Sequence, residues 1–174
     1  IPRLRQFEAD HPDIPLRVTT AWRGYRPEVE DFDAAIVYSA PDYGFQMRPS
    51  LRSDLILTER MCPVCTPEFL ATAPPLESPE DLARHTLIHS TPDHYDWSRW
   101  LMAQGLPQSL MVRNMDFDYL DIALSSALAG HGVALADLAM VRDELASGRL
   151  LRLFDLPAQQ IGAYYLVSPR RAGE

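Results

Sequence analysis

Long apolar runs, cysteine and excess positive charge are all scarce or missing in this sequence. No stretch reaches the roughly 18 to 20 continuous apolar residues of a membrane helix, and the first residues lack the apolar core of a signal peptide. We therefore expect a cytoplasmic protein with no membrane partner. Two cysteines cannot form a disulfide framework, so stability must come from buried apolar area, which 47% hydrophobic residues can supply. Sixteen Lys and Arg against 24 Asp and Glu give a net charge of −8, which disfavours binding of this chain alone to DNA or RNA.

The first third of the chain predicts one short helix and three extended segments. Ile1, Leu4 and Phe7 would line one face of a helix that ends before Pro12. Residues 16–20 alternate and predict a half-buried strand, whereas residues 32–38 are nearly all apolar and predict a parallel strand at a sheet centre. Residues 55–65 are also extended, but Pro63 cannot donate to a ladder and predicts an edge or a departure from the sheet.

The remainder of the chain alternates between predicted helices and strands, which is typical of parallel α/β sheets. Thr66-Pro67 and Ser78-Pro79 each pair a hydroxyl N-cap with proline at the first helical position. Further helices are predicted from Asp96 towards Gly105, from a cap at Asp116 or Asp118 to Gly130, and over residues 137–146. The predicted strands are residues 86–90, 110–114, 133–135, 150–154 and 163–167.

The pair Cys62 and Cys65 resembles a redox dithiol only in spacing. In an extended run two residues three apart point to opposite faces, about 10 Å from one another, beyond the roughly 7 Å that a disulfide spans. Together with His85 and His89, the two cysteines have a spacing similar to that of zinc-finger ligands. However, the 19 residues between Cys65 and His85 contain two predicted helix starts, which a zinc finger does not have. We therefore interpret the cysteines as buried hydrophobic residues and predict no metal and no other cofactor.

Catalytic motifs are also missing from the sequence. There is no phosphate-binding Gly-Lys loop and no Gly-x-Ser-x-Gly elbow, and Gly130-His131-Gly132 lies where a helix ends, as a helix stop and tight turn. Ser39, Ser90 and the histidines could form a nucleophile and a base, but nothing in their spacing selects that arrangement over ordinary polar side chains. We predict that the chain is not an enzyme.

The order of several short motifs resembles one known family. They are Pro2-Arg3-Leu4 with Phe7, His11-Pro12-Asp13-Ile14, Asp33-Ala34-Ala35-Ile36, Cys62-Pro63-Val64-Cys65-Thr66-Pro67, Leu82-Ala83-Arg84-His85, Gly130-His131-Gly132-Val133-Ala134-Leu135, Leu145-Ala146-Ser147-Gly148-Arg149-Leu150 and Tyr164-Tyr165-Leu166-Val167. In this order they resemble the effector-binding domain of LysR-type transcriptional regulators. The segment from Trp97 to Trp100 is most similar to the subgroup around the glycine-cleavage and β-lactamase regulators.

The resemblance implies an α/β fold of two Rossmann-like lobes joined by two crossings, like type 2 periplasmic binding proteins. Lobe one would be residues 1–66 plus 137–174, without its first strand, and lobe two residues 67–136. The crossings would lie near Cys65-Thr66 and Leu135–Asp137, and Asp137 stands where the family usually has proline. The family's N-terminal winged helix-turn-helix is absent, so DNA would be bound only through that missing domain. The chain itself would pair as a homodimer or tetramer through the first helix and the helix over residues 137–146.

The resemblance also implies a small effector held between the lobes, such as an amino acid, a cell-wall peptide or a small carboxylate. Parallel sheets bind ligands beyond the carboxyl ends of their strands. The residues at such ends are Tyr38, Ser39, Thr66, His89, Ser90, Thr91, Met115, Asp116 and Phe117. Two alternatives share this fold: a solute-binding protein of a transport system, and an enzyme such as a prephenate dehydratase or a tetrapyrrole-forming deaminase.

Overall fold

A computed structural model describes residues 4–19, 32–41, 43–44, 48–91 and 93–170, which form a mixed α/β fold. The helices are α1 (Leu4–Asp10), α2 (Pro67–Thr72), α3 (Tyr95–Ala103), α4 (Leu120–Leu128) and α5 (Arg142–Ala146), with 3-10 turns at Pro79–Arg84 and Gln108–Leu110. The strands are β1 (Ala35–Ala40), β2 (Tyr43–Gly44), β3 (Leu51–Cys65), β4 (Thr86–His89), β5 (Arg113–Asp116), β6 (Val133–Asp137), β7 (Leu151–Arg152) and β8 (Gln159–Pro169). No described helix is both long and apolar enough to cross a bilayer.

One sheet connects all eight described strands, in the order β2-β1-β8-β3-β6-β4-β5, with β7 paired to β3 off this path. The long strand β3 joins the two halves of this sheet. Over most of its length it pairs with β8, and its last residues pair with β6 and β7. Among the described strands, only β4 with β5 and β4 with β6 are parallel, so the expected parallel sheets are limited to this half. The division of the chain into two lobes stays a prediction.

Strand β3 continues through Pro63 instead of ending there. The carbonyl oxygen of Pro63 accepts a hydrogen bond of 2.9 Å from the Leu153 amide. Since the N–H and C=O of one residue point to the same side of an antiparallel strand, the missing N–H of Pro63 faces that side too. On that side the partner changes from β8, paired up to Met61, to β7, paired from Val64. The ladder therefore tolerates proline in the interior of the sheet because the residue lies between two partners.

Two predictions for the first third of the chain are wrong. Residues 16–19 form no strand in the described part of the chain, and Thr20 lies outside it; Val18 is exposed because no described strand pairs with this segment. Strand β1 is antiparallel to both β2 and β8, and Ile36 is 69% exposed, so β1 is not the parallel strand covered on both faces that its apolar sequence predicts. A continuous apolar run favours a strand, but it does not specify whether other elements pack on both faces of that strand.

The later elements follow the predicted order, with shifted ends and different caps. Strand β5 begins at Arg113 because residues 108–110 form a 3-10 turn, and α5 begins only at Arg142. The cap of α4 is Tyr119 rather than Asp116 or Asp118, and α3 begins after His94 rather than at Asp96. The glycine stops are confirmed, since Gly105, Gly130 and Gly148 all have positive φ.

The core consists of two main clusters on opposite faces of β3. One contains Cys65 with Trp97 and Trp100 of α3, and the other contains Cys62 with Ala127 of α4. Both cysteines are unbonded and buried, which confirms their interpretation as small hydrophobic residues. Burial raises the pKa of each thiol to about 11, so neither is poised for thiolate chemistry at neutral pH.

Candidate functional site

The carboxylate of Asp96 organises the end of β4. Asp96 lies in the first turn of α3 and is nearly fully buried. Its oxygens accept hydrogen bonds from the Ser90 hydroxyl at 2.8 Å, the Thr91 hydroxyl at 3.3 Å and the Trp97 amide at 2.8 Å. The predicted residues Ser90 and Thr91 thus lie together, and both donate to a carboxylate that the sequence analysis placed only at the start of a predicted helix. Their remaining lone pairs can accept hydrogen bonds from a ligand.

Two histidines and an aspartate meet at the neighbouring strand ends. His89 ends β4 in register with Asp116, which ends β5. The ring of His89 stacks on that of His94 with centroids 3.8 Å apart, and His94 Nε2 lies 2.6 Å from Asp116 Oδ1. Burial lowers the pKa of His89, against the effect of its hydrogen bond with Asn114. Among the described residues, these three side chains are a group whose donor atoms lie within 4.8 Å of one another.

Met115 and Phe117 face away from this cluster. Successive side chains of a strand point to opposite faces, so Met115 lies opposite Asn114 and Asp116. It accepts a hydrogen bond at its sulfur from Ser126 at 3.3 Å, and both Met115 and Phe117 pack against the core around α4. The Phe117 amide still donates to the His89 carbonyl at 3.0 Å. The contribution of these two side chains to a ligand site stays a prediction.

Thr66 caps α2, as its position before Pro67 predicts. Its hydroxyl accepts a hydrogen bond of 3.2 Å from the Phe69 amide, and only 9% of the residue is exposed. The oxygen also lies near Gly130, where an added Cβ would approach it to 3.9 Å. The cap is confirmed, whereas a role of Thr66 in ligand binding stays a prediction.

Tyr38 binds a buried carboxylate that the sequence analysis did not find. Its hydroxyl donates to Glu59 Oε2 at 2.7 Å, and its ring contacts that of Tyr164. Burial raises the pKa of Glu59 to about 7, helped by the charges of Asp137 and Asp96 and opposed by the hydrogen bond from Tyr38. Burial, together with the charge of Glu59, also raises the pKa of Tyr38. The only signal for Glu59 in the sequence is one acid within the extended run 55–65.

Asp137 adds a third buried carboxylate, at the end of β6. One oxygen accepts from the Ala139 amide at 3.1 Å and from the Arg60 amide at 3.4 Å. The other oxygen is buried and has no hydrogen-bond partner among the described residues. A buried carboxylate oxygen without a donor is costly, so this oxygen is a position where a donor from a ligand would be favourable.

An open cleft of about 620 Å³ borders β8 and the end of β1. It is lined by Ser39, Ala40, Pro41, Arg99, Gln160, Ile161, Gly162, Ala163 and Tyr165. Its volume falls within the range of small-molecule sites, roughly 300 to 1,000 Å³. Of the predicted site residues, Ser39 lines this cleft, and Arg99 of α3 contributes a cation to the same lining.

The chain matches one family model over its whole length, residues 1–174, and the model is described as LysR substrate binding domain. This chain belongs to the LysR substrate-binding domain family. The resemblance in the motifs and the fold class that it implies are therefore confirmed. The mixed α/β architecture is that of LysR effector-binding domains of the periplasmic-binding-protein type.

Named relatives of this domain are transcriptional regulators. The glycine cleavage system transcriptional activator of Escherichia coli K12 is 34% identical over 167 residues, which cover 96% of this chain and 53% of that protein. The transcriptional activator AmpR of Pseudomonas aeruginosa is 34% identical over 176 residues, 100% of this chain and 56% of that protein. The solved effector domain of that AmpR matches with a TM-score of 0.73 and 32% identity, covering 99% of this chain and 79% of that one.

These relatives support the regulator interpretation and not the transport alternative. The chain spans about half the length of the curated relatives that it matches. What the whole protein regulates and binds is therefore a matter for proposal.

Proposed function

We propose that this chain is the effector-sensing domain of a LysR-type transcriptional regulator and that it binds an amine-bearing small molecule, an amino acid or short peptide. The observation that carries the proposal is a set of three buried carboxylates, those of Glu59, Asp96 and Asp137, in which one oxygen of Asp137 has no hydrogen-bond partner among the described residues. Three carboxylates with so little solvent favour a cationic group between them. Binding of DNA is assigned to a domain outside this chain, in keeping with the net charge of −8.

The two halves of the sheet supply different parts of the proposed site. Tyr38 and Glu59 come from β1 and β3, and Ser90, Thr91 and Asp96 come from the end of β4 and the start of α3. The ammonium group of an amino acid would lie near the carboxylates, and its carboxylate would face Arg99 and Ser39 in the adjoining cleft. A ligand that contacts both halves favours the arrangement in which they lie closest, by its difference in affinity alone.

The test is a thermal-shift and calorimetric screen of matched ligand pairs. Each amino acid or cell-wall peptide is compared with its N-acetylated form, which keeps the shape and removes the cation. We expect the free amine to bind and the acetylated partner to bind at least about tenfold more weakly, because one charge-assisted contact contributes roughly 1.5 to 3 kcal/mol. The Glu59→Gln variant should lose this preference, and Glu68→Gln, on the exposed side of α2, should keep it. Equal binding of simple carboxylates and amines would overturn this choice of effector.

Self-association is part of the same proposal. Helices α1 and α5, the expected contacts of a homodimer, bury none of their described residues within the chain. An apolar residue such as Phe7 on α1 is 37% exposed and is available to a second copy. Sedimentation across a range of concentrations should show a dimer, and a monomer at every concentration would contradict this interface.

A further inference from the structure

The most informative group outside the proposed effector contacts is the cluster of His89, His94 and Asp116. Each side chain offers a donor atom, and these atoms lie within 4.8 Å of one another. In a tetrahedral zinc site with bonds of about 2.0 to 2.1 Å, neighbouring donor atoms are about 3.3 Å apart. An imidazole binds a metal in the plane of its ring, so the partly exposed His94 ring must turn out of its stack on His89 before the three donors can share one metal position.

The hydrogen bonds of His89 leave one nitrogen for a metal. Its Nε2 lies 2.9 Å from Asn114 Oδ1, and the amide nitrogen of Asn114 donates to the Met111 carbonyl at 3.3 Å, which orients the oxygen towards the histidine. Nε2 therefore carries the proton and donates it, and Nδ1 carries a lone pair. His89 is fully buried, and its Nδ1 has no hydrogen-bond partner among the described residues.

This arrangement has the form of a metal-bound histidine. A ligating imidazole typically donates its second N–H to a carbonyl or carboxylate, which sets the tautomer and orients the ring. Asn114 supplies such a carbonyl from β5, the strand that also holds Asp116. A core histidine with only a structural role would be expected to use both nitrogens.

His94 and Asp116 complete the set and leave a path for an ion. The side chain of His94 is 27% exposed and that of Asp116 is 51% exposed, so solvent reaches the cluster from their side. His94 lies at φ 55°, a left-handed conformation that few residues except glycine adopt and in which asparagine, aspartate and histidine are enriched, and its Nε2 lies against Asp116. A cation between them would replace this direct contact with one bond to each side chain.

We propose that His89 Nδ1, His94 Nε2 and an Asp116 oxygen bind one divalent transition-metal ion of the zinc type, with at least one position left to water or to a ligand. Two imidazoles and one carboxylate are the donors preferred by Zn²⁺ and similar ions rather than by Mg²⁺ or Ca²⁺. The ion would connect the ends of β4 and β5 to the start of α3. Because Asp96 lies two residues after His94, metal binding would also act on the network of Ser90 and Thr91.

The experiment titrates the untagged chain, first treated with EDTA, with Zn²⁺ in competition with a chromophoric chelator. We expect one ion per chain with micromolar or tighter affinity and no comparable binding of Mg²⁺. Co²⁺ in place of Zn²⁺ should give the visible absorption of a four- or five-coordinate ion. No effector is needed, so failure here leaves the proposed function untouched, and failure of the effector screen leaves the metal site untouched.

The decisive variant is His94→Asn, because asparagine tolerates the left-handed backbone and lacks the imidazole. It should weaken Zn²⁺ binding at least tenfold and abolish the Co²⁺ absorption, and Asp116→Asn should do the same. His11→Asn removes an exposed histidine outside the cluster and should change neither. Asn114→Leu should weaken binding by about 10- to 100-fold through loss of the hydrogen bond that orients His89.

Several outcomes would overturn the site. They are no stoichiometric Zn²⁺ binding, equal binding by wild type and His94→Asn, or loss of binding in His11→Asn. Circular dichroism without metal checks that each variant is folded. If either His94→Asn or Asp116→Asn fails this check, the other variant serves as the test. Both side chains are partly exposed, so we expect both variants to fold.

Discussion

Both halves of the sheet contain apolar strands, but helices cover them to different extents. Around β4, β5 and β6, the helices α3 and α4 bury residues such as Trp97, Trp100 and Ala127 completely. Around β1, β8 and the first part of β3, Val167 and Leu51 are buried, but Ile36 and Leu55 are 69% and 60% exposed and α1 buries none of its described residues. The comparison teaches that apolar residues specify a strand, whereas the packing of helices decides whether the strand becomes part of a core.

The largest expected effect comes from removing a tryptophan in the covered half. Trp100→Ala should reduce the free energy of unfolding by about 3 to 5 kcal/mol, because the ring is fully buried between Trp97 and Phe154. The matched change in the other half, Leu55→Ala, should stay within about 0.5 kcal/mol. Urea denaturation measures both values. Similar losses in the two variants would show that the half of the sheet around β1, β8 and the first part of β3 is covered in solution.

The next largest effect is the contribution of Glu59 to the pH dependence of the free energy of unfolding. The folded chain keeps this proton up to about pH 7, whereas the unfolded chain releases it near 4.5. Folding therefore takes up a proton between these values, and stability from this group falls as the pH rises through this window. The fall should approach about 3 kcal/mol, at 1.36 kcal/mol per pKa unit.

Glu59→Gln tests this value because glutamine is neutral and can still accept the hydrogen bond from Tyr38. Relative to wild type, the variant should gain stability when chemical denaturation is repeated at pH 8 instead of pH 4.5. Tyr38, Asp137, Asp96 and the rest of the chain are common to both proteins, so their titrations largely cancel in the difference. A difference that stays constant with pH would show that the folded chain ionises Glu59 normally.

Substituting alanine for two glycines should cause a smaller loss of stability, and the loss should differ between the two halves of the sheet. A Cβ added at Gly132 would overlap the backbone carbonyl of Thr86, and one at Gly162 would overlap side-chain atoms of Tyr38, its hydroxyl oxygen and the ring carbons Cζ and Cε2. Gly132→Ala should therefore cost about 1 to 3 kcal/mol, because paired strands cannot move apart easily. Gly162→Ala should cost about 1 kcal/mol through loss of one hydrogen bond as Tyr38 turns away. Thermal denaturation ranks the two, and the reverse order would contradict this account.

A small loss of stability is also expected at Thr66, near the end of β3. Thr66→Ala removes the acceptor for the Phe69 amide and should cost about 0.5 to 2 kcal/mol. Thr66→Ser keeps the hydroxyl and should keep most of this stability. Calorimetry with an effector then separates the two roles of Thr66, since an unchanged affinity in Thr66→Ala would limit the residue to capping.

Much of the fold of the chain after β3 follows from local signals in the sequence. Thr66 before Pro67 predicts the start of α2, and Gly105, Gly130 and Gly148 predict where three helical segments end, because these signals act within one turn. The predictions fail where a distant partner decides. Residues 16–19 have strand-like alternation but no described partner, and Asp96 turns back to Ser90 and Thr91 instead of capping α3.

The candidate site was predictable only in part. The rule that ligands bind at strand ends selected His89, Ser90, Thr91 and Asp116, which do lie close together, but it could not separate Met115 and Phe117, which face the core around α4. It also could not find His94, because that residue follows no strand and reaches the cluster through a left-handed turn.

The sequence by itself determined the family, the order of most later elements and the burial of the two cysteines, because these depend on motifs and on periodicity along the chain. Only the tertiary structure decided which polar groups meet. Tyr38 joins Glu59 across 21 positions, His94 joins Asp116 across 22, and the Arg60 amide joins Asp137 across 77. Such contacts arise when distant segments of the chain are brought together by strand pairing, and burial then raises the pKa values of Tyr38 and Glu59.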